Sequence, residues 1–168
     1  MTSSQNEAAE SAMIDIAHIH PMLVHFPIVF FLTAIVIDGW LVLRGVGLGE
    51  RRCITQTAFG LLLVGWLFAV AAASFGDMAL DKAASAGFPK GPMDEHEDLA
   101  GATITLFGLL VVIQGFALWR NFRLAGKAGW LFVVLGLVGV GLLISTAWHG
   151  GHLVYDLGVN VGPVKPTP

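Results

Sequence analysis

Six histidines stand at positions 18, 20, 25, 96, 149 and 152 of an otherwise apolar chain. Imidazole changes charge near neutral pH and is the commonest metal ligand. Ionisable side chains within membrane segments are costly enough to mark functional sites by default. His20 and His25 open a long apolar run in the stretch His-Pro-Met-Leu-Val-His-Phe-Pro, residues 20–27. His149 closes another such run and is followed by Gly150 and Gly151, where a backbone free of side chains can be approached closely. Imidazoles projecting from facing helices are how a bundle core holds a metal or a haem, so that is the chemistry this pattern offers.

Spacing sorts four of the histidines into two layers. His20 precedes Arg44 by 24 residues, and His96 precedes Arg120 by 24. His25 precedes Arg44 by 19 residues, and His149 follows Trp130 by 19. The pairs His20/His96 and His25/His149 are therefore expected at two depths, about 7.5 Å apart at 1.5 Å per helical residue. The inner pair, His25 and His149, is expected to supply the axial ligands of a haem b. His20 and His96 then lie nearer the water, beside its propionates. The symmetric arrangement, with His20 and His96 as axial ligands, stays open. Four neutral imidazoles also suit copper or zinc, and a purely structural role makes them interhelical hydrogen-bond partners. His18 and His152 are expected to be exposed.

Four apolar segments must position these side chains, at about 21–43, 54–75, 99–119 and 128–148. Each is close to the ~20 residues that cross a hydrocarbon core of about 30 Å as a helix, and only helices and closed barrels satisfy their backbone there. The composition agrees, with 55% hydrophobic and 12% charged residues, where soluble domains carry about 25% charged. A net charge of -3 argues against a nucleic-acid partner. The single cysteine, Cys53, excludes an internal disulfide and a CxxCH haem attachment, and is expected to be an inert loop thiol.

Arg44, Arg51 and Arg52 lie between the first two segments, and Arg120, Arg123 and Lys127 between the last two. Positive residues mark the cytoplasmic side, so both termini are expected outside, in the periplasm if the protein sits in a bacterial inner membrane. Residues 1–18 lack the basic start and apolar core of a secretory signal and are expected to form a polar tail, as is 163–168. Residues 77–98, with Gly87, Pro89, Gly91 and Pro92, read as a long outer loop. Within the first helix Asp38 is expected to hydrogen-bond across helices or pair with Arg44, with a proton or quinone contact as the functional alternative. Acids 94–98 suit a helix N-terminus. The tryptophans at 40, 66, 119, 130 and 148 are expected to be interface anchors.

An ungapped shift of 76 residues lays the first hairpin on the second: His20 on His96, Phe31 on Phe107, Gly39 on Gly115, Arg44 on Arg120, Gly65 on Gly141. Under the same shift Gly101 falls opposite His25, and Ala73 opposite His149, leaving room for a large flat group. The expected fold is all-α, a four-transmembrane-helix bundle over 19–162 made of two tandem helical hairpins, its first and third helices diagonal.

The stretches His-Pro-Met-Leu-Val-His-Phe-Pro-Ile at 20–28 and His-Gly-Gly-His-Leu-Val-Tyr-Asp-Leu-Gly-Val-Asn-Val-Gly at 149–162 resemble a bacterial four-helix membrane family, domain of unknown function 2231, over about 19–162. A histidine opening the third helix, here His96, also fits. The family brings no activity. Its members are sometimes joined to Rieske or cytochrome c modules, which implies respiratory electron transfer by association. Taken together, these features lead to the expectation of a small cytochrome b-like subunit rather than a stand-alone enzyme, with His20, His25, His96, His149, Gly101 and Gly150 around haem b. Its candidate partners are the lipid bilayer, a quinone, and respiratory-complex subunits or cytochrome c. A copper or zinc protein and a structural or assembly subunit are the rivals.

Overall fold

The computed structural model describes residues 16–159 and residue 161. Apart from the first turn of α1, the expected tails lie outside those residues. The described chain is helical: α1 (Ile16–Leu23), α2 (His25–Leu43), α3 (Cys53–Ser85), α4 (Lys90–Trp119) and α5 (Gly126–Tyr155). The first two form one rod interrupted at Val24. Pro27 has no N–H for the carbonyl of Leu23 and its ring crowds that carbonyl, which opens the turn. Residues 19–43 thus act as a single span, and α3, α4 and α5 complete four helices long and apolar enough to cross a membrane. The outward faces carry side chains such as Val36, Val112, Leu137 and Ile144, so the bundle meets lipid rather than water along its length.

Neighbouring helices are α2 and α3, α3 and α4, α4 and α5, and α5 and α2. The rod α1–α2 and helix α4 are diagonal, and residues 76 apart meet on the axis between them. Phe31 and Phe107 stack at 3.7 Å between centroids with 6° between planes, both fully buried. A Cβ at Gly65 or at Gly139 would lie 3.0 Å from the ring of Phe31 or Phe107, so those two positions seat the stack.

The ends of α2 and α4 close alike. After α2 the Val46 N–H donates to Leu41 O (2.9 Å) and the Gly45 N–H to Val42 O (3.0 Å), with Gly45 at φ 70. After α4 the Phe122 N–H donates to Ala117 O (2.8 Å) and the Asn121 N–H to Leu118 O (3.3 Å), with Asn121 at φ 49. Both are Schellman closures, which need a left-handed residue just past the helix. Arg51 then donates to the carbonyls of Leu118 (3.0 Å) and Trp119 (2.8 Å) at the end of α4, while Arg123 reaches Gly45 O (3.0 Å). Each of the two arginine-bearing loops therefore caps a helix of the other hairpin.

Besides Cys53, which opens α3 rather than lying in a loop, and the acids of 94–98, which fall past the first turn of α4, three sequence expectations change. The long outer loop over 77–98 is largely helix, because α3 runs to Ser85 and α4 starts at Lys90. Gly87 (φ 93) closes α3, with the Phe88 N–H on Ala83 O (3.2 Å). Pro92 falls in the first turn of α4, where a missing N–H costs nothing. Trp66 is not an interface anchor: it is half-buried mid-helix and its indole N–H donates to Ile104 O at 3.1 Å, over Gly108. Third, the ungapped register holds only for α1–α2 against α4. Helix α3 superposes on α5 with a shift of 74, since Ala72 answers to Thr146, Gly65 to Gly139 and Gly76 to Gly150. The second inner loop is shorter (120–125 against 44–52), and the difference slides the return helix. His149 consequently falls opposite Phe75 and not Ala73.

Candidate functional site

At the end of the bundle away from the arginine loops, α1 and α4 each present one imidazole to the axis. The rings of His20 and His96 are 6.3 Å apart between centroids and 85° between planes. Both are half-buried. His20 Nδ1 bonds Ala72 O at 2.7 Å, and His96 Nδ1 bonds Thr146 O at 3.0 Å. A carbonyl only accepts, so Nδ1 carries the proton in both rings and the neutral tautomer leaves the Nε2 lone pair free. A ligand histidine is ordinarily held in this way by a carbonyl behind it.

Each ring sits against a glycine one turn beyond that carbonyl. A Cβ on Gly76 would come 3.0 Å from His20 Nδ1, and a Cβ on Gly150 would come 3.0 Å from His96 Cε1. The repeat thus builds the same seat twice: a histidine on the first helix of a hairpin, and a carbonyl with a glycine four residues later on the second. Gly150 was visible in the sequence as half of a Gly-Gly pair. Gly76 was missed, because its match to Gly150 appears only once a two-residue gap is allowed.

Open space flanks the pair on both sides. A cavity of about 450 Å³ lies toward the bundle centre, lined by His20, His96, Ala72, Ala73, Thr103 and Ala147 among others. A second, of about 200 Å³, lies on the far side and shares His20, His96 and Gly150 with the first. It is flanked by the chain after α5. Gly158 (φ 69) turns that segment back, the Val159 N–H donates to Leu153 O at 2.9 Å, and Val159 buries against Ala83, Met93 and Leu153.

His25 and His149 are not brought together on the axis. His25 is exposed at the rim of the larger cavity, its Nδ1 on Pro21 O, four residues back in the same α1–α2 rod, at 2.8 Å. His149 is half-buried, with Nδ1 on Ser145 O at 2.8 Å and Nε2 4.0 Å from a carboxylate oxygen of Glu95. Donation to the carbonyl four residues back is how a histidine satisfies itself within a helix, whereas His20 and His96 reach across to another helix. Gly101, equivalent to His25, is exposed with nothing near it and lines neither cavity. His152 is exposed and paired with Asp156. Among the described residues no three His, Cys, Asp or Glu side chains group as metal ligands, so the four-imidazole metal site expected from the layers is not assembled. What the structure assembles is a symmetric pair.

A family model described as "Predicted membrane protein (DUF2231)" matches residues 17–163. No curated protein and no solved structure matches the chain.

Proposed function

The chain belongs to the DUF2231 family of predicted membrane proteins, and we propose that within it this protein is a small cytochrome b-like subunit whose haem b is held by His20 and His96. The single observation behind this reading is the His20–His96 pair. Two imidazoles that held one metal between them through Nε2 at about 2 Å each would have ring centroids about 6 Å apart, and the observed separation is 6.3 Å. The donor set fits as well. Both rings are anchored through Nδ1, which in the neutral tautomer leaves Nε2 to coordinate. The cavities on either side of the pair give a planar group apolar, small-residue walls, and the larger lies within the ~300–1,000 Å³ of ordinary ligand pockets.

Haem bound there supplies a one-electron couple. The protein's part is to fix two imidazoles by carbonyls of α3 and α5, and to set the pair at one end of the bundle. The bias of Arg and Lys toward the other end supports a periplasmic position for the site and both termini in a bacterial inner membrane. The reading places the couple between a membrane quinol and a periplasmic or complex-bound partner.

The test is a reduced-minus-oxidised visible spectrum of the purified protein, expected to be that of a bis-histidine haem b. A colourless protein with stoichiometric copper or zinc would move the same two imidazoles to a non-haem metal. A protein with neither would leave them as interhelical hydrogen bonds of an assembly subunit.

A further inference from the structure

Nearer the arginine loops, the axis carries a polar pair that the histidine site does not use. Asp38 and Gln114 are equivalent positions of the two hairpins, 76 residues apart and fully buried. The Gln114 amide donates from Nε2 to Asp38 Oδ1 at 3.0 Å. The other oxygens, Asp38 Oδ2 and Gln114 Oε1, have no partner. An ionised carboxylate only accepts, and so does an amide oxygen. Ionised, the pair strands two buried acceptors, each an unmade bond costing about 1–3 kcal/mol and more where charge is involved. Exchanging the amide's O and N does not help, because the count of donors and acceptors is unchanged.

Nothing nearby neutralises a carboxylate. No ionisable side chain lies between Cys53 and Asp77 on α3, between Asp98 and Arg120 on α4, or between Lys127 and His149 on α5. Just past the end of α2 stands Arg44, about 9 Å along the axis, and its guanidinium lies over the Trp40 ring at 6.0 Å. Arg120 is placed likewise over Trp119. Arg51 is committed to helix-end carbonyls, and Arg52 and Arg123 to Glu50.

We propose that Asp38 and Gln114 form a binding site for a single proton, held as a neutral carboxylic acid. Asp38 Oδ2–H donates to Gln114 Oε1 while the Gln114 amide donates to Asp38 Oδ1. This closes a two-bond ring and leaves no heavy atom of the pair unpartnered. The proton comes from water as the bundle assembles, and its release requires the ring to open. The site ties the diagonal helices α2 and α4 together. It does not depend on a cofactor at the histidine end, which is roughly 27 Å away along the axis.

Infrared spectroscopy of the full chain in lipid at neutral pH reads the proton directly. The expected result is one band of a protonated, hydrogen-bonded carboxylic acid, shifted in heavy water and absent from Asp38→Asn, whose amide can make the same two bonds. Loss of ionised-carboxylate intensity on that substitution, with no protonated band in the parent, would overturn the proposal. Should Asp38→Asn not fold, carbon-13 labelling of aspartate in the unaltered protein gives the same answer. One aspartate carboxyl stays protonated well above the ordinary carboxylate range if the proposal holds, and all titrate as ordinary carboxylates if it does not.

Discussion

A histidine within an apolar helix becomes a candidate ligand or a satisfied polar group according to what lies opposite it. His20 and His96 face backbone carbonyls of another helix across glycine, while His25 and His149 turn back on their own helices. The expected outcome is that His20→Ala or His96→Ala abolishes the haem-type absorption, whereas His25→Ala and His149→Ala keep it and at most shift its potential. Equal loss from His25→Ala would restore the inner pair as the ligands. Gly76→Ala puts a methyl 3.0 Å from His20 Nδ1, a contact relieved by a shift of the ring against its carbonyl. It should move or weaken the absorption while the far-ultraviolet circular dichroism stays that of the parent. A spectrum identical to the parent's would mean that the seat does not position the ring.

At the scale of elements, helix ends do much of the positioning. Gly45 and Asn121 stand at equivalent left-handed positions past α2 and α4. A Cβ at Gly45 meets nothing within 4 Å, so Gly45→Ala tests backbone strain alone and should lower stability by about 1–2 kcal/mol. Asn121→Gly should raise it by up to about 1 kcal/mol. Unfolding in mixed micelles followed by tryptophan fluorescence measures both, and opposite signs for the pair are the outcome that matters. Between the inner loops, the Gly47 N–H (2.9 Å) together with Arg52 and Arg123 holds the Glu50 carboxyl below the usual carboxylate range. A depressed pKa contributes stability above the ordinary carboxylate range, and that contribution is lost as pH falls through the lowered value. The loss in Glu50→Gln should therefore be small and present at neutral pH, vanishing in acid. An unchanged difference from neutral to acid pH would show that the loop contact carries no linkage.

For the whole molecule, the approximate two-fold axis makes its own predictions. Exchanging the members of the buried pair, in the double variant Asp38→Gln with Gln114→Asp, should keep the fold and near-parent stability. Asp38→Leu alone strands the amide of Gln114 and should cost about 1–3 kcal/mol or more. A double variant no better than the single one would argue that the two sites are not equivalent. Orientation follows from charge. Reporter fusions at Gly49 and Gly126 are expected on the cytoplasmic side and one at Gly87 on the other, and a periplasmic signal from Gly49 would reverse the placing of the histidine site.

The sequence alone determined the class of the molecule. Long apolar runs admit only helices in lipid, and their number, their tandem repeat and the diagonal placing of the first and third helices followed from the 76-residue shift carried by His20/His96, Phe31/Phe107 and Arg44/Arg120. It also set all four central histidines near one end. What it could not decide was the rotation and slide of each helix. Apolar residues surround these helices on all sides, so no amphipathic stripe marks the inward face, and the glycines and prolines of 86–92 resemble a loop as well as they resemble a helix end and a helix start. Tertiary packing settled both. The shorter second loop slid α5 by two residues against the repeat, Gly65 and Gly139 let the phenylalanine stack form, and the seats at Gly76 and Gly150 turned the outer pair of histidines inward. Depth along a helix is written in residue count; which way a side chain faces is decided by what the neighbouring helix leaves room for.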